Sequence, residues 1–293
     1  MARIGFIGLG IMGQPMALNL LKGGHHLALH SRSGVAPSLI EAGGAACSSG
    51  AEVARQSDVI IVMVPDTADV ERVLFGAGGV SEGLSSGKTV IDMSSISPLA
   101  TKTFASRIEQ LGCRYLDAPV SGGEIGAKSG TLTIMVGGSQ SAFEAMQPIL
   151  ALLGKTITLV GENGAGQTAK VANQIIVALN IEAVSEALVF ASKLGADPAK
   201  VRQAIAGGFA GSRVLDVHGQ RMIERTFKPG FRVRLHKKDL ELALRAAADL
   251  GISLPATAVA QQLFNACVAR GGEDWDHSAM VKALEVMADH ALG

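Results

Sequence analysis

The sequence predicts an α/β fold, a doubly wound sheet over residues 1–162, followed by an all-α domain over residues 163–293. Three observations predict it. Short, nearly continuous apolar runs alternate with helical stretches through the first half. Such runs suit strands buried on both faces of a parallel sheet. Strand-like runs stop after about residue 162, and every later segment is an Ala/Leu-rich helical unit bounded by Gly, Pro or an Asp/Ser cap.

The first half reads in order. Strands are expected at RIGFIG (3–8), HLALH (26–30), VIIVMV (59–64) and TVIDM (89–93), with helical stretches such as IMGQPMALNLLKGG and PLATKTFASRIEQLG between them. Further strands are expected at RYLDAP (114–119), LTIMVG (132–137) and ITLVG (157–161). This βα alternation implies right-handed crossovers. The second half opens with a long helix over about 164–194, which would connect the two domains. DPAKVRQAIAGG, SRVLDVHGQRMIERT, LHKKDLELALRAAADLG, PATAVAQQLFNACVARGG and DHSAMVKALEVMADHALG follow as helical units.

Composition narrows the class of function. Of 293 residues, 48% are hydrophobic and 18% charged, with Lys+Arg 26 balancing Asp+Glu 26. A core is well supplied, and zero net charge gives no reason to expect nucleic acid or an anionic membrane as partner. Cys47, Cys113 and Cys267 are isolated and without CxxC spacing, which fits a reducing compartment and neither a disulfide framework nor a zinc site. The glycine-broken N-terminus does not read as a signal peptide. Apolar runs are expected to break well short of the roughly 20 residues that cross a membrane. The reading is a soluble cytoplasmic protein, and the Ala-rich helices beyond residue 240 suggest a homo-oligomer, a dimer or tetramer.

Gly8-Leu9-Gly10-Ile11-Met12-Gly13 is GxGxxG. It follows a strand and opens a helix, with a second strand about a dozen residues on, as a Rossmann-type dinucleotide fingerprint requires. Gly8 would permit the tight turn, Gly10 the approach of a pyrophosphate, and Gly13 close helix–strand packing. The helix N-terminus would supply N–H groups to the phosphates. At the end of the second strand, HSRSG places Ser31 where an NAD-selective site usually has an acid, with Arg32 beside it and no carboxylate in sequence until Glu41. Arg32 can fork onto a 2′-phosphate, so NADPH is mildly favoured over NADH.

Three more stretches put small polar groups at strand ends. MVPD (63–66, with Val64 and Pro65) and DMSSISP (92–98, with Ser95) close strands at the carboxyl edge, where open α/β sheets bind ligands. In DAPVSGGEIGAKSGTL (117–132), Ser121-Gly122-Gly123 offers a hydroxyl and successive unencumbered N–H groups as an anion nest. Lys170 is the only cation between Lys155 and Lys193, with Asn173 and Gln174 one turn on and sharing its helix face. A partly desolvated lysine has a lowered pKa and exchanges its proton readily near neutrality, which general acid–base catalysis needs.

GFIGLGIMGQPMALNL, DAPVSGGEIGAKSGTLTIMVGG, GAGQTAKVANQ and FKPGF…LHKKDL resemble, in order, the four motifs of the β-hydroxyacid dehydrogenase family, the 3-hydroxyisobutyrate and 6-phosphogluconate dehydrogenase relatives. They cover essentially the whole chain. The resemblance implies an NAD(P)-dependent oxidoreductase, with Lys170 as catalytic acid/base and Ser121, Gly122 and Gly123 holding a substrate carboxylate. The family's amide four residues after the lysine is asparagine in many members. Here Gln174 stands there with Asn173 just before it, so either could touch substrate. Lys238 of the KDL motif would approach the nicotinamide half of the cofactor, Ser95 would line it, and Ser31-Arg32 would meet the adenosine side.

Within the family, DMSSISP, KVANQIIVALNIEAVSEAL and DHSA resemble the branch that reduces tartronate semialdehyde to D-glycerate. The alternatives are another small β-hydroxy acid or semialdehyde (3-hydroxyisobutyrate, succinic semialdehyde, glyoxylate), or a dinucleotide-binding module without chemistry. 6-Phosphogluconate is disfavoured, because the helical half is too short and lacks an evident basic cluster for phosphate. No metal site is expected.

Overall fold

The computed structural model describes residues 1–292. The chain packs as two compact units, Met1–Lys170 and Val171–Gly293.

The first unit is built on one sheet. Its strands are β1 (Arg3–Ile7), β2 (His26–His30), β3 (Ala45–Ala46), β4 (Val59–Val62), β5 (Thr89–Asp92), β6 (Arg114–Asp117), β7 (Val120–Ser121), β8 (Leu132–Gly137) and β9 (Gly154–Gly161). The order is β3-β2-β1-β4-β5-β6-β8-β7, with β9 beside β8. β1 pairs in parallel with both β2 and β4, so the chain leaves β1 in one direction and returns on its other side. That reversal is the topological switch point at which open sheets bind ligands.

Alternation along each strand feeds two cores. Ile4, Phe6, Ile61, Ile91 and Leu116 pack on one face with Met16 and Leu20 of helix Gly13–Lys22 and with Met146 and Ile149 of helix Gln140–Leu150. Ile7, Ile60, Val62, Val90 and Tyr115 pack on the other with Val53, Val70, Leu74, Phe104 and Ile108. Strands β4 and β5 are buried at every position, which is why they read as unbroken apolar runs.

The sheet departs from pure parallel winding at one edge. β8 runs antiparallel to β6 and to β7. The segment between β6 and β8 is spent on β7 and the seven-residue helix Gly123–Ser129, with no full crossover helix, so β8 enters reversed. The two-residue strands β3 and β7 carry too little pattern to be legible in the sequence.

The second unit contains no strand among the described residues. Pro198–Ile205 starts on Asp197, whose carboxylate accepts from the Ala199 and Lys200 amides. Val233–Leu250 ends on Gly251 in the left-handed conformation. Pro255–Ala269 and Val281–Ala288 complete the packing. Ala178, Ile181 and Leu188 join Leu240, Phe264 and Met280 in its core.

The longest helix bears on the expected breaking of apolar runs by charge. Helix Ala165–Lys193 is long and apolar enough to meet the length and composition of a membrane span. Only Glu182 and Glu186 interrupt it between Lys170 and Lys193, and both are tolerated within one long helix. Its Ala178, Ile181 and Leu188 are fully buried in the second unit, so part of that apolarity is core packing.

Candidate active site

The glycine loop at the end of β1 has three different local geometries. Gly8 has φ +99°, and a Cβ there would lie 2.1 Å from the Met63 carbonyl oxygen. A Cβ at Gly13 would lie 1.9 Å from the Gly8 carbonyl oxygen, so helix and loop touch directly. At Gly10 a Cβ would meet nothing within 4 Å, leaving that stretch of backbone open to an approaching group. Leu9 is buried, Ile11 exposed and Met12 half-buried. Gly13–Lys22 starts at Met12 with no side-chain cap, and its Gln14 amide donates to the Gly10 carbonyl at 3.0 Å; a helix start without a side-chain cap is the kind that receives a dinucleotide pyrophosphate.

Beside this loop, the ends of β4, β5 and β6 are joined by a buried polar network that the sequence reading did not identify. Asp92 and Asp117 are register partners on adjacent strands, and both are fully buried. Asp92 accepts from the Ser94 amide at 3.0 Å and from the Tyr115 hydroxyl at 3.1 Å. The Ser94 hydroxyl in turn accepts from the Val64 amide at 3.0 Å. Asp117 accepts from the Gly164 amide at 2.8 Å and the Gln167 amide at 2.9 Å, capping the long helix from another strand. Gln167 is fully buried; its amide donates to the Ser94 carbonyl at 2.7 Å and accepts from the Ile96 amide at 3.1 Å.

Glycines make this contact possible. Gly164 has φ +91°, and a Cβ at Gly166 would lie 2.4 Å from the Met135 carbonyl oxygen. Burial pushes the Asp92 carboxyl up to about 7 against its hydrogen bonds from Ser94 and Tyr115, with Asp117 adding like-charge repulsion. Burial likewise raises the Asp117 carboxyl, opposed by the Gly164 and Gln167 amides. The signal was present in the sequence as acids closing two apolar strands, TVID and RYLD, where a buried carboxylate needs partners.

Val64 and Ser95 are half-buried, and Pro65 is exposed at the carboxyl edge. Ser121 ends β7 opposite Thr133 of β8, and Gly122 and Gly123 both have positive φ, +131° and +60°. The stretch after Ser121 is a helix beginning at Gly123 rather than an extended loop, so the nest lies at a strand-to-helix turn. Lys170, one turn beyond Gln167, is 7% exposed. Ser31 shares a hydrogen bond with Ser33 at 3.2 Å. Arg32 is 73% exposed and lies 3.5 Å from Asp69. The sequence reading saw no carboxylate before Glu41; folding brings one from helix Thr67–Phe75, where Asp69 also binds Arg72 at 2.9 Å.

In the second unit, Asn173 donates to the Gln174 side-chain oxygen at 2.8 Å, and Gln174 donates to Asp239 at 2.6 Å. Asp239 also pairs with Lys238 at 3.1 Å. The two amides and the KDL motif therefore form one hydrogen-bonded group. Behind them runs a chain of histidines. His236 Nε2 donates to the Gln174 carbonyl at 3.0 Å, its Nδ1 meets His277 Nδ1 at 2.9 Å, and His277 Nε2 meets His218 Nε2 at 3.2 Å.

His218, Asp276 and His277 bring their ligand atoms within 4.8 Å of one another, a grouping by type suited to a metal ion. Arg221 already sits 2.7 Å from the Asp276 carboxylate and matches its charge. Asp276 further accepts from the Gly230 and Phe231 amides and from Ser278, so it serves as a buried hub. Burial holds both His277 and His218 below the usual imidazole range.

Fold and site together define a dinucleotide-binding oxidoreductase with a separate helical unit. Comparison with known proteins agrees. Residues 3–161 match the NAD binding domain of 6-phosphogluconate dehydrogenase, and residues 164–284 match the NAD-binding domain of NADP-dependent 3-hydroxyisobutyrate dehydrogenase. The chain is 60% identical over 99% of its length to 2-hydroxy-3-oxopropionate reductase of Escherichia coli, covering 99% of that protein. It is 40% identical to 2-(hydroxymethyl)glutarate dehydrogenase of Eubacterium barkeri, over 97% of this chain and 95% of that one. Among solved structures, 3-hydroxyisobutyrate dehydrogenase of Mycobacterium tuberculosis with L-serine superposes with TM-score 0.87 at 34% identity, over 97% of this chain and 99% of that one. The chain belongs to the β-hydroxyacid dehydrogenase family and is an NAD(P)-dependent oxidoreductase acting on a small hydroxy acid or its aldehyde.

Proposed function

We propose that the chain reduces tartronate semialdehyde (2-hydroxy-3-oxopropanoate) to D-glycerate, reversibly, with Lys170 as general acid/base. The observation that carries the reading is a lysine 7% exposed, one turn beyond the buried Gln167–Asp117 junction at the sheet's carboxyl edge. The near-complete likeness to 2-hydroxy-3-oxopropionate reductase supports the choice of substrate.

The glycine loop 8–13, Val64-Pro65, Ser95, Ser31, Arg32 and Lys238 would hold the cofactor, which supplies the hydride when bound. Lys170 gives a proton to the aldehyde oxygen as that oxygen becomes an alkoxide, and takes it back in the reverse direction. Ser121 with the amides of Gly122 and Gly123 receives the carboxylate. Asn173 and Gln174, linked to each other, orient the hydroxy-aldehyde. In the domain assignment proposed here, 1–162 binds the dinucleotide and 163–293 completes the substrate site and self-associates. Exposed Leu250, Ile252, Val259 and Met287 are the residues such a homo-oligomer would cover. A cytoplasmic location fits the three buried free cysteines.

The test is a panel of small semialdehydes assayed with NADH and NADPH in parallel. Tartronate semialdehyde should give the highest kcat/KM. A preference of tenfold or more for glyoxylate, succinic semialdehyde or the semialdehyde of 3-hydroxyisobutyrate, about 1.4 kcal/mol of transition-state discrimination, would reassign the substrate.

A further inference from the structure

We propose that Gln167 is a positioning residue for hydride transfer, holding the Ser94–Ser95–Ile96 segment in register with the helical turn that presents Lys170. The proposal rests on the reading of Lys170 as acid/base.

Gln167 grips the peptide groups on both sides of Ser95. Its amide donates to the Ser94 carbonyl and accepts from the Ile96 amide, at 2.7 and 3.1 Å. Ser95 is the residue assigned to line the cofactor, so its main chain is bracketed by a single side chain. The main-chain amide of Gln167 is itself held by Asp117 at 2.9 Å, and the helix start packs so closely that a Cβ at Gly166 would lie 2.4 Å from the Met135 carbonyl oxygen. From Gln167, Lys170 lies three residues on, on the same helix face and about 4.5 Å along the axis. One rigid turn therefore connects the cofactor-lining segment to the proton donor.

The bracketed segment is also fixed from the far side. Ser94 donates its amide to Asp92 and accepts from the Val64 amide, so β4, β5 and the helix meet at one residue. Hydride and proton must reach carbon and oxygen of one carbonyl group, and a misplacement of about 1 Å can cost on the order of a hundredfold in rate. A side chain that ties the two delivering elements together sets that geometry without touching the reacting atoms.

The amide is also chemically specific. The site requires one donor and one acceptor at once, on a side chain of this length. Glutamine supplies both at every pH, whereas glutamate does so only when protonated. Gln167→Glu should lose the bond to the Ser94 carbonyl when ionised and regain it when protonated, and Gln167→Met should lose both bonds at any pH.

The experiment measures both variants beside wild type and Lys170→Ala, with active sites counted by cofactor titration so that unfolded protein does not enter the rate. Gln167→Met should lose about ten- to a hundredfold in kcat, with cofactor affinity changed less than about threefold. The isotope effect with cofactor deuterated at the transferred position should rise, because hydride transfer becomes slower than product release. Gln167→Glu should show the same loss near pH 8, and its rate relative to wild type should recover as pH falls. A purely structural glutamine would lower the melting temperature while leaving rate per active site and isotope effect unchanged. That result, or a Gln167→Glu rate ratio flat with pH, overturns the proposal. The protonated Glu variant at low pH keeps both bonds and supplies a folded protein even if the Met variant does not. If Lys170→Ala turns over normally, the acid/base reading fails; if it is inactive while both Gln167 variants are normal, only the present proposal fails.

Discussion

Asp92→Asn should change how stability depends on pH in a defined direction. Asp92 is 0% exposed, and its carboxyl is raised from 3.8 to about 7 by burial, against the bonds from Ser94 and Tyr115 and with Asp117 alongside. A group whose folded pKa is raised binds its proton more tightly in the folded state. The stability this confers is complete below about pH 4 and is lost as pH rises through about 7. A rise of about three units, at about 1.4 kcal/mol each, makes the total change about 4 kcal/mol.

Other groups titrate in the same window. Raised Asp117 adds to the loss, while lowered His218 and His277 act oppositely, since a neutral buried imidazole gains on the unfolded chain as pH rises toward 6.5. The difference between variant and wild type removes these common terms. Asparagine keeps an acceptor for the Ser94 amide and can donate to the Tyr115 oxygen. Its stability relative to wild type should therefore climb by up to about 4 kcal/mol from about pH 4 to about pH 8. Amide hydrogen exchange of peptides spanning β5 and β6, run with urea titrations, reads this locally. A difference that stays constant across that range would refute the assignment of a proton-binding Asp92.

Lys170→Ala should lose about 10²–10⁴-fold in turnover with cofactor affinity retained, measured by single-turnover kinetics beside a cofactor titration. Near-normal chemistry would make the lysine structural. Ser121→Ala should raise KM for the semialdehyde more than it lowers kcat; unchanged KM and efficiency would move the carboxylate site elsewhere. Arg32→Ala should weaken NADPH more than NADH, by roughly tenfold, the low end for a charged contact, because Arg32 is 73% exposed and already near Asp69. Equal weakening of both cofactors in parallel titrations would assign Arg32 to loop structure instead.

The parts of the fold legible in the sequence are those whose pattern repeats. VIIV and TVID could be read as doubly buried strands because nothing polar interrupts them before their ends. The GxGxxG loop could be read because Gly8 and Gly13 each answer a separate steric demand, while Gly10 leaves the backbone between them open. Less legible was anything set by long-range pairing. Strand β7 is two residues long and owes its existence to β8, and the reversal of β8 follows from what fills the intervening segment. Asp69 approaches Arg32 across 37 residues of sequence, so a local search for the ribose-side acid could not find it. Gln167 illustrates the same limit at the site. Lys170, one turn on, stood out by type, while the task of Gln167 depends on two peptide groups more than seventy residues earlier.

The capping of the long helix by Asp117 also bears on how the chain matures on the ribosome. By the time β9 has been synthesised, all the strands of the sheet exist, yet the donors for both Asp117 oxygens belong to Gly164 and Gln167. The Ser94 carbonyl and the Ile96 amide wait for the Gln167 side chain as well. A nascent chain ending at residue 162 would hold a carboxylate at the end of β6 with neither helix donor, a state that favours local opening of the sheet's carboxyl edge. Completion of that edge is thus deferred to a handful of residues translated after the last strand, Gln167 among them.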